Sequence, residues 1–288
     1  MCDSDNNQSF VVDASFTRRS VMLTMSSVVA AASLPACAAA AKVTESDVMV
    51  PTPDGSADAA LFHPAGAGSW PAVLMWPDIL GLRPVFREMG RRLAAEGYVV
   101  LVPNPFYRTK RAPIVTGAFD FNDPKQVQPL LALKATLTDA AIDKDAAAFI
   151  SFLDEQKQTN RRKGAGVQGY CFSGPFAFHT GAVRSDRIRA VATFHGGGLV
   201  TKDPNSPHLL IPKTKASFVV AIARNDDQKQ PDAKDVLKAT FAAAKRPAVV
   251  EVYPADHGWC VAGSPTYDHA SAEKAWAELL RLYRANLV

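Results

Sequence analysis

Seven short, β-rich apolar runs alternate with helical patterns along this chain, at residues 59–63, 72–76, 98–102, 165–168, 190–194, 217–222 and 249–253. Several of these runs are apolar on both faces. A strand with one face in water alternates polar and apolar side chains, whereas a strand covered on both sides reads as a continuous apolar run. Between the runs, Val85, Phe86, Met89 and Leu93 recur at helical spacing, and Gly97 follows as a stop. Further helical patterns occupy residues 123–156, long enough for two helices, and residues 175–183, 232–244 and 270–285. This rhythm predicts an α/β fold, a mostly parallel twisted sheet with helices on both faces. Residues 104–123, rich in Pro, Arg and Phe, read as a loop over one edge of that sheet. No internal repeat or Gly/Ser linker interrupts residues 42–288, which are expected to form one domain and to act as a monomer.

Composition removes several functions. Of the 288 residues, 48% are hydrophobic and 21% charged, which excludes a disordered chain and allows a core that needs no disulfides. The net charge of +4 is spread along the chain without a long basic run, so no nucleic-acid partner is expected. No His-Glu-x-x-His or paired-Cys spacing occurs, so no metal site is expected either. The string Gly164-Ala165-Gly166-Val167-Gln168-Gly169 matches a dinucleotide fingerprint letter for letter. Its glycines enter a strand instead of following one, and no nucleotide cofactor is expected.

The first 41 residues are different material. Arg18-Arg19 precedes an uncharged stretch from Ser20 to Ala41 dominated by Ala, Ser, Val, Leu and Met. That layout reads as a secretory signal of the twin-arginine type and predicts export to the periplasm. Ala and Ser supply little transfer energy, so removal is favoured over a membrane-spanning helix. Leu34-Pro35-Ala36-Cys37 leaves a lipoprotein reading as the alternative, with Cys37 acylated and the chain anchored in the envelope. Either route leaves Cys171 and Cys260 in an oxidising compartment.

Ligands of open α/β sheets bind outside the carboxyl ends of the strands. Three of the apolar runs are followed by chemistry-bearing groups: Gly169-Tyr170-Cys171-Phe172-Ser173-Gly174, Arg224-Asn225-Asp226-Asp227 and Pro254-Ala255-Asp256-His257-Gly258-Trp259. Their chain order is nucleophile, acid, histidine, the order used by α/β-hydrolases. A nucleophile held on a sharp strand-to-helix turn tolerates only small neighbours, and Gly169, Ser173 and Gly174 supply them. The turn also points the Phe172 amide at the place where an oxyanion would develop. Cys171 is thus the candidate nucleophile and His257 its base. Of the adjacent acids, Asp226 is favoured over Asp227 because it lies nearer the strand end. His195, in Phe194-His195-Gly196-Gly197-Gly198, reads as a loop residue beside a Gly-rich turn.

With Asp78-Ile79-Leu80-Gly81 added, these motifs resemble the dienelactone hydrolases over roughly residues 46–288. The resemblance implies an α/β-hydrolase fold without a large lid. It also implies a Cys171–His257–Asp226 triad and cofactor-free hydrolysis of an ester or lactone, of the carboxymethylenebutenolidase type, through an acyl-enzyme. It assigns the oxyanion hole to the amides of Phe172 and Ile79, and the role of an acid that modulates the thiol to Asp78, where the best-known members carry Glu. Arg108 takes the position of an arginine that holds a substrate carboxylate, with Trp259 and Phe106 as apolar support. Val261 stands where a second arginine is expected, which favours small neutral esters. A broad carboxylesterase or thioesterase would use the same parts. In a binding or redox protein, by contrast, Cys171 and Cys260 would be joined as a disulfide.

Overall fold

The computed structural model describes residues 42–117 and 119–288; the signal expected in residues 1–41, including Cys37, lies outside the described residues. Strands β1 (Val43–Thr52) and β2 (Gly55–Pro64) form an antiparallel hairpin. Strands β3 (Ala72–Trp76), β4 (Val99–Pro103), β5 (Ala165–Tyr170), β6 (Ile188–Phe194), β7 (Ser217–Ala223) and β8 (Ala248–Tyr253) run parallel to one another. The order across the sheet is β1-β2-β4-β3-β5-β6-β7-β8, with β2 antiparallel to β4. This is the α/β-hydrolase arrangement that the motifs implied. All six parallel strands therefore deliver their carboxyl ends to one rim, where the site is built.

Strand β1 is a departure from the apolar-run reading. It carries Glu45 and Asp47 because it lies at the sheet edge with little to bury. Those carboxylates instead take Arg87 at 2.7 and 2.5 Å, and Glu45 also takes Arg91 at 2.6 Å.

Helices α1 (Pro84–Ala95) and α7 (His269–Asn286) cover one face of the sheet, α1 packing Phe86 and Leu93 over β2 and β4, and α7 packing Leu279 and Tyr283 over β6 and β7. The opposite face receives Phe149, Phe178 and Phe241 from α3 (Asp139–Glu155), α4 (Gly174–Val183) and α6 (Ala233–Ala243). Each such ring contributes roughly 1.5–3 kcal/mol by leaving water. The segment 123–156 does divide in two, as α2 (Pro124–Ala135) and α3. Asp123 caps the first through the Lys125 amide, and Thr138 caps the second through the Ala141 amide.

One polar residue lies inside the buried strand β5. Gln168 is fully buried, donating to the Tyr170 hydroxyl at 2.7 Å and accepting from the Tyr283 hydroxyl at 2.9 Å. Satisfied on both sides, it fastens α7 to the strand that ends in Cys171. Among the described residues, no helix is long and apolar enough to cross a membrane.

Candidate active site

Strand β5 ends at Tyr170, and the next residue turns sharply: Cys171 has φ +57°, in the left-handed region that side chains other than glycine avoid. The small neighbours have a steric reason. A Cβ on Gly169 would stand 2.2 Å from the Ser173 carbonyl oxygen, and one on Gly174 would stand 2.6 Å from the Gly196 Cα. Ser173 locks the turn, accepting from the Tyr170 amide at 2.9 Å and donating to the Trp76 carbonyl at 3.0 Å. The nucleophile turn is thereby tied to the end of β3, where Asp78 and Ile79 begin.

Cys171, His257 and Asp226 come together in one line. His257 Nδ1 lies 2.6 Å from Asp226 Oδ2, and its Nε2 lies 3.1 Å from the Cys171 Sγ. The contact requires Nδ1 to carry a proton, since a carboxylate can only accept. Asp226 sits in a short helix, α5 (Arg224–Lys229), instead of an open loop. Asp227 turns away to Lys234 at 2.8 Å, so the geometry separates the two neighbouring acids. Asn225 adds a support that the motifs did not reveal: its Oδ1 accepts from the His257 amide at 2.9 Å. Burial by itself would lower the His257 pKa. The Asp226 and Cys171 contacts outweigh it and raise the value to about 10.

The thiol opens into a cavity of about 380 Å³ walled by Ile79, Leu80, Val85, Val115, Phe119 and Val261. Asp78 also faces it, yet its carboxylate does not address the sulfur. It is taken in two-point fashion by Arg83 and also accepts from the Leu80 amide at 3.0 Å. Arg83 itself escaped notice because it stands five residues on, at the start of α1, outside any motif. The Ile79 amide belongs to the cavity wall, and the Phe172 amide follows Cys171 directly; among the described residues neither donates a hydrogen bond in these turns.

Two expected substrate contacts are corrected. Arg108 is not in the cavity wall; its guanidinium donates to Asp145 at 2.7 Å twice and to Asp54 at 2.7 Å. Asp145 on α3 is 1% exposed, and an ionised carboxylate so placed demands a cation. Trp259 is fully buried, stacked on Tyr253 at 5.1 Å and edge-on to His195 at 5.1 Å. Its large apolar ring is drawn into the core under α7 instead of lining the pocket. Phe106 is buried likewise, stacked on Phe172 at 5.8 Å.

Cys260 departs from the redox alternative. Both thiols are free, and Cys260 faces a separate cavity of about 140 Å³ with Met89, Arg92 and Trp276. Burial pushes its thiol well above the ordinary range.

A model of the dienelactone hydrolase family matches residues 57–287. A carboxymethylenebutenolidase of Rhodococcus opacus is 26% identical over 225 residues, 76% of this chain and 83% of that protein. One of Cupriavidus pinatubonensis is 27% identical over 214 residues, 74% of this chain and 86% of that protein. A solved dienelactone hydrolase-like promiscuous phosphotriesterase from metagenomic libraries superimposes with a TM-score of 0.69 at 20% identity, covering 85% of this chain and 99% of that one.

Proposed function

Given that the chain belongs to the dienelactone hydrolase family, and so is a hydrolase of ester or lactone bonds, we propose that it works through a Cys171 acyl-enzyme on small neutral substrates. The observation that carries this reading is the unbroken contact line from Asp226 through His257 to Cys171, with the sulfur on a strained turn at the cavity floor.

In the first step the Cys171 sulfur attacks the carbonyl carbon while its proton resides on His257 Nε2. The C=O π pair moves onto oxygen, and the amides of Phe172 and Ile79 receive that charge, each donor being worth roughly 3 kcal/mol. The alkoxide then leaves with the proton from His257, and a thioester remains. Water attacks the thioester carbonyl, His257 accepts its proton, the C–S bond breaks, and the acid departs. Asp226 holds the tautomer throughout and faces the imidazolium when it forms.

Carboxymethylenebutenolide, which gives the Rhodococcus and Cupriavidus relatives their names, carries a carboxylate. Neither arginine near the site is free to hold one, because Arg108 is engaged with Asp145 and Arg83 with Asp78. Apart from Cys171, His195, His257 and Ser264, the rest of the lining is apolar, which favours uncharged esters and lactones. Hydrolysis of a panel of lactones and activated esters by wild type and Cys171→Ala tests the reading. The variant should be inactive and folded; activity near wild type would remove Cys171 as nucleophile.

A further inference from the structure

His195 is the buried titratable group that this mechanism leaves unused. It follows β6, at the same rim as Cys171 and Asp226, with a backbone φ of +42° that a side-chain-bearing residue rarely adopts. The Gly-rich turn after it packs under the nucleophile: Gly197 N is 3.4 Å from the Cys171 carbonyl oxygen, and Gly196 meets Gly174. The side chain is 1% exposed, and neither ring nitrogen has a hydrogen-bond partner.

What the ring does touch is aromatic. Its centroid lies 4.8 Å from the His257 ring at 63° and 5.1 Å from the Trp259 ring at 71°, with Tyr253 stacked behind Trp259 at 5.1 Å. Near-perpendicular pairs direct the edge of one ring at the face of the other, an arrangement in which N–H groups find π-faces in place of oxygen acceptors. Trp259 Nε1 also lacks a hydrogen-bond partner among the described residues.

We propose that His195 is a positioning residue for His257, the inner end of an aromatic column Tyr253–Trp259–His195 against which the His257 ring stands aligned between Asp226 and Cys171. Two hydrogen bonds along one axis leave an imidazole free to swing about that axis, and a ring packed near-perpendicular to it at 4.8 Å removes the freedom. The wall must stay uncharged, since a second cation would oppose the imidazolium. Burial holds the His195 pKa well below the ordinary value. The titratable groups around it are His257, Tyr170 at 6.2 Å and, beyond Trp259, Tyr253, and it shares the cavity lining with Asp78, Arg83 and Cys171; no carboxylate pairs with it among the described residues. His257 in turn faces Asp226 and Cys171.

This proposal rests on the reading of His257 as the partner of Cys171, and thiol chemistry tests it without a substrate. The measurement is the rate of iodoacetamide alkylation of the full chain against pH, with Cys171→Ala subtracting the other cysteines and thermal melting checking the fold. His195→Phe keeps a ring and removes the nitrogens; His195→Leu fills similar space without a face. The expected result is that Phe stays within about threefold of wild type, whereas Leu loses about tenfold of the alkylation rate near neutral pH. In the Leu variant the profile should shift toward that of an ordinary thiol, and ester hydrolysis should fall in kcat with little change in KM. A wild-type profile in Leu, or equal loss in Phe and Leu, overturns the positioning role. A wild-type Cys171 that alkylates like any free thiol refutes instead the Cys171–His257 pairing beneath it.

Discussion

Asp78 and Arg83 form a two-point ion pair on the wall of the Cys171 cavity, Nη1 to Oδ1 at 2.5 Å and Nη2 to Oδ2 at 2.8 Å. Each neutralises the other where a charged substrate would otherwise be attracted or repelled. A carboxylate-bearing ester must therefore compete with Asp78 for the guanidinium, whereas a neutral ester need not. Wild-type kcat/KM should favour a neutral ester over its carboxylate analogue. Asp78→Asn, which releases Arg83, should move the ratio toward the acidic compound by roughly ten- to a hundredfold, the worth of one charge-assisted contact. An unchanged ratio in Asp78→Asn would mean that Arg83 does not meet the substrate.

The two adjacent acids make opposite contacts, Asp226 to His257 at 2.6 Å and Asp227 to Lys234 at 2.8 Å. Asp226→Asn should lower kcat by orders of magnitude, because an amide can present its NH₂ to Nδ1 and favour the wrong tautomer. Asp227→Asn loses only a partly exposed pair away from His257, worth about 1 kcal/mol, and should leave kcat within about twofold. The reverse pattern in steady-state kinetics would reassign the acid.

Strands and chemistry were legible to different depths. Buried parallel strands announce themselves as apolar runs, and Cys171, Asp226 and His257 stood out because each closes such a run. Strand β1 hid because an edge strand owes little to burial and carries Glu45 and Asp47 for Arg87 and Arg91. Arg108 and Trp259 were misplaced for a tertiary reason: position after a strand says which rim a residue reaches, but not which way its side chain turns. Asp145 on α3, 37 positions away in sequence, decides the direction of Arg108. His195 carried one usable signal, its place after β6 before three glycines, yet a lone histidine there gains meaning only when His257 is seen beside it.

Arg108 should matter to stability instead of substrate choice. Asp145 is buried, and desolvation already pushes its pKa up with the guanidinium present. Arg108→Met strands that carboxylate, at a cost of about 3–5 kcal/mol. For a domain of this size that lowers Tm by roughly 10 °C. Adding Asp145→Leu should recover most of the loss, while the preference between neutral and acidic esters stays put. A changed preference with an unchanged Tm would return Arg108 to the binding site.

Export is expected from Arg18-Arg19 and the uncharged stretch after it. Mass spectrometry of envelope protein should find the residues through about Ala38 missing, as cleavage after a small-residue site requires, or Cys37 acylated. An intact amino terminus on cytosolic protein would refute both routes.

The two facing imidazoles should shape stability against pH in opposite senses. His195 accepts a proton less readily folded than unfolded, so below its ordinary pKa of about 6.5 the unfolded chain binds more protons. Stability from this group is present above that pH and lost as pH falls. His257 is raised to about 10, so its contribution is complete below about 6.5 and lost as pH rises toward 10. Each full proton of difference corresponds to a slope of about 1.4 kcal/mol per pH unit. Denaturant unfolding followed from pH 5 to 10 should therefore give a maximum near pH 6–7. His195→Phe should flatten the acidic limb alone, because Phe cannot titrate in either state, and His257→Gln should flatten the alkaline one. Loss of both limbs in His195→Phe would mean that the two rings titrate as one unit and that His195 holds a proton in the folded protein.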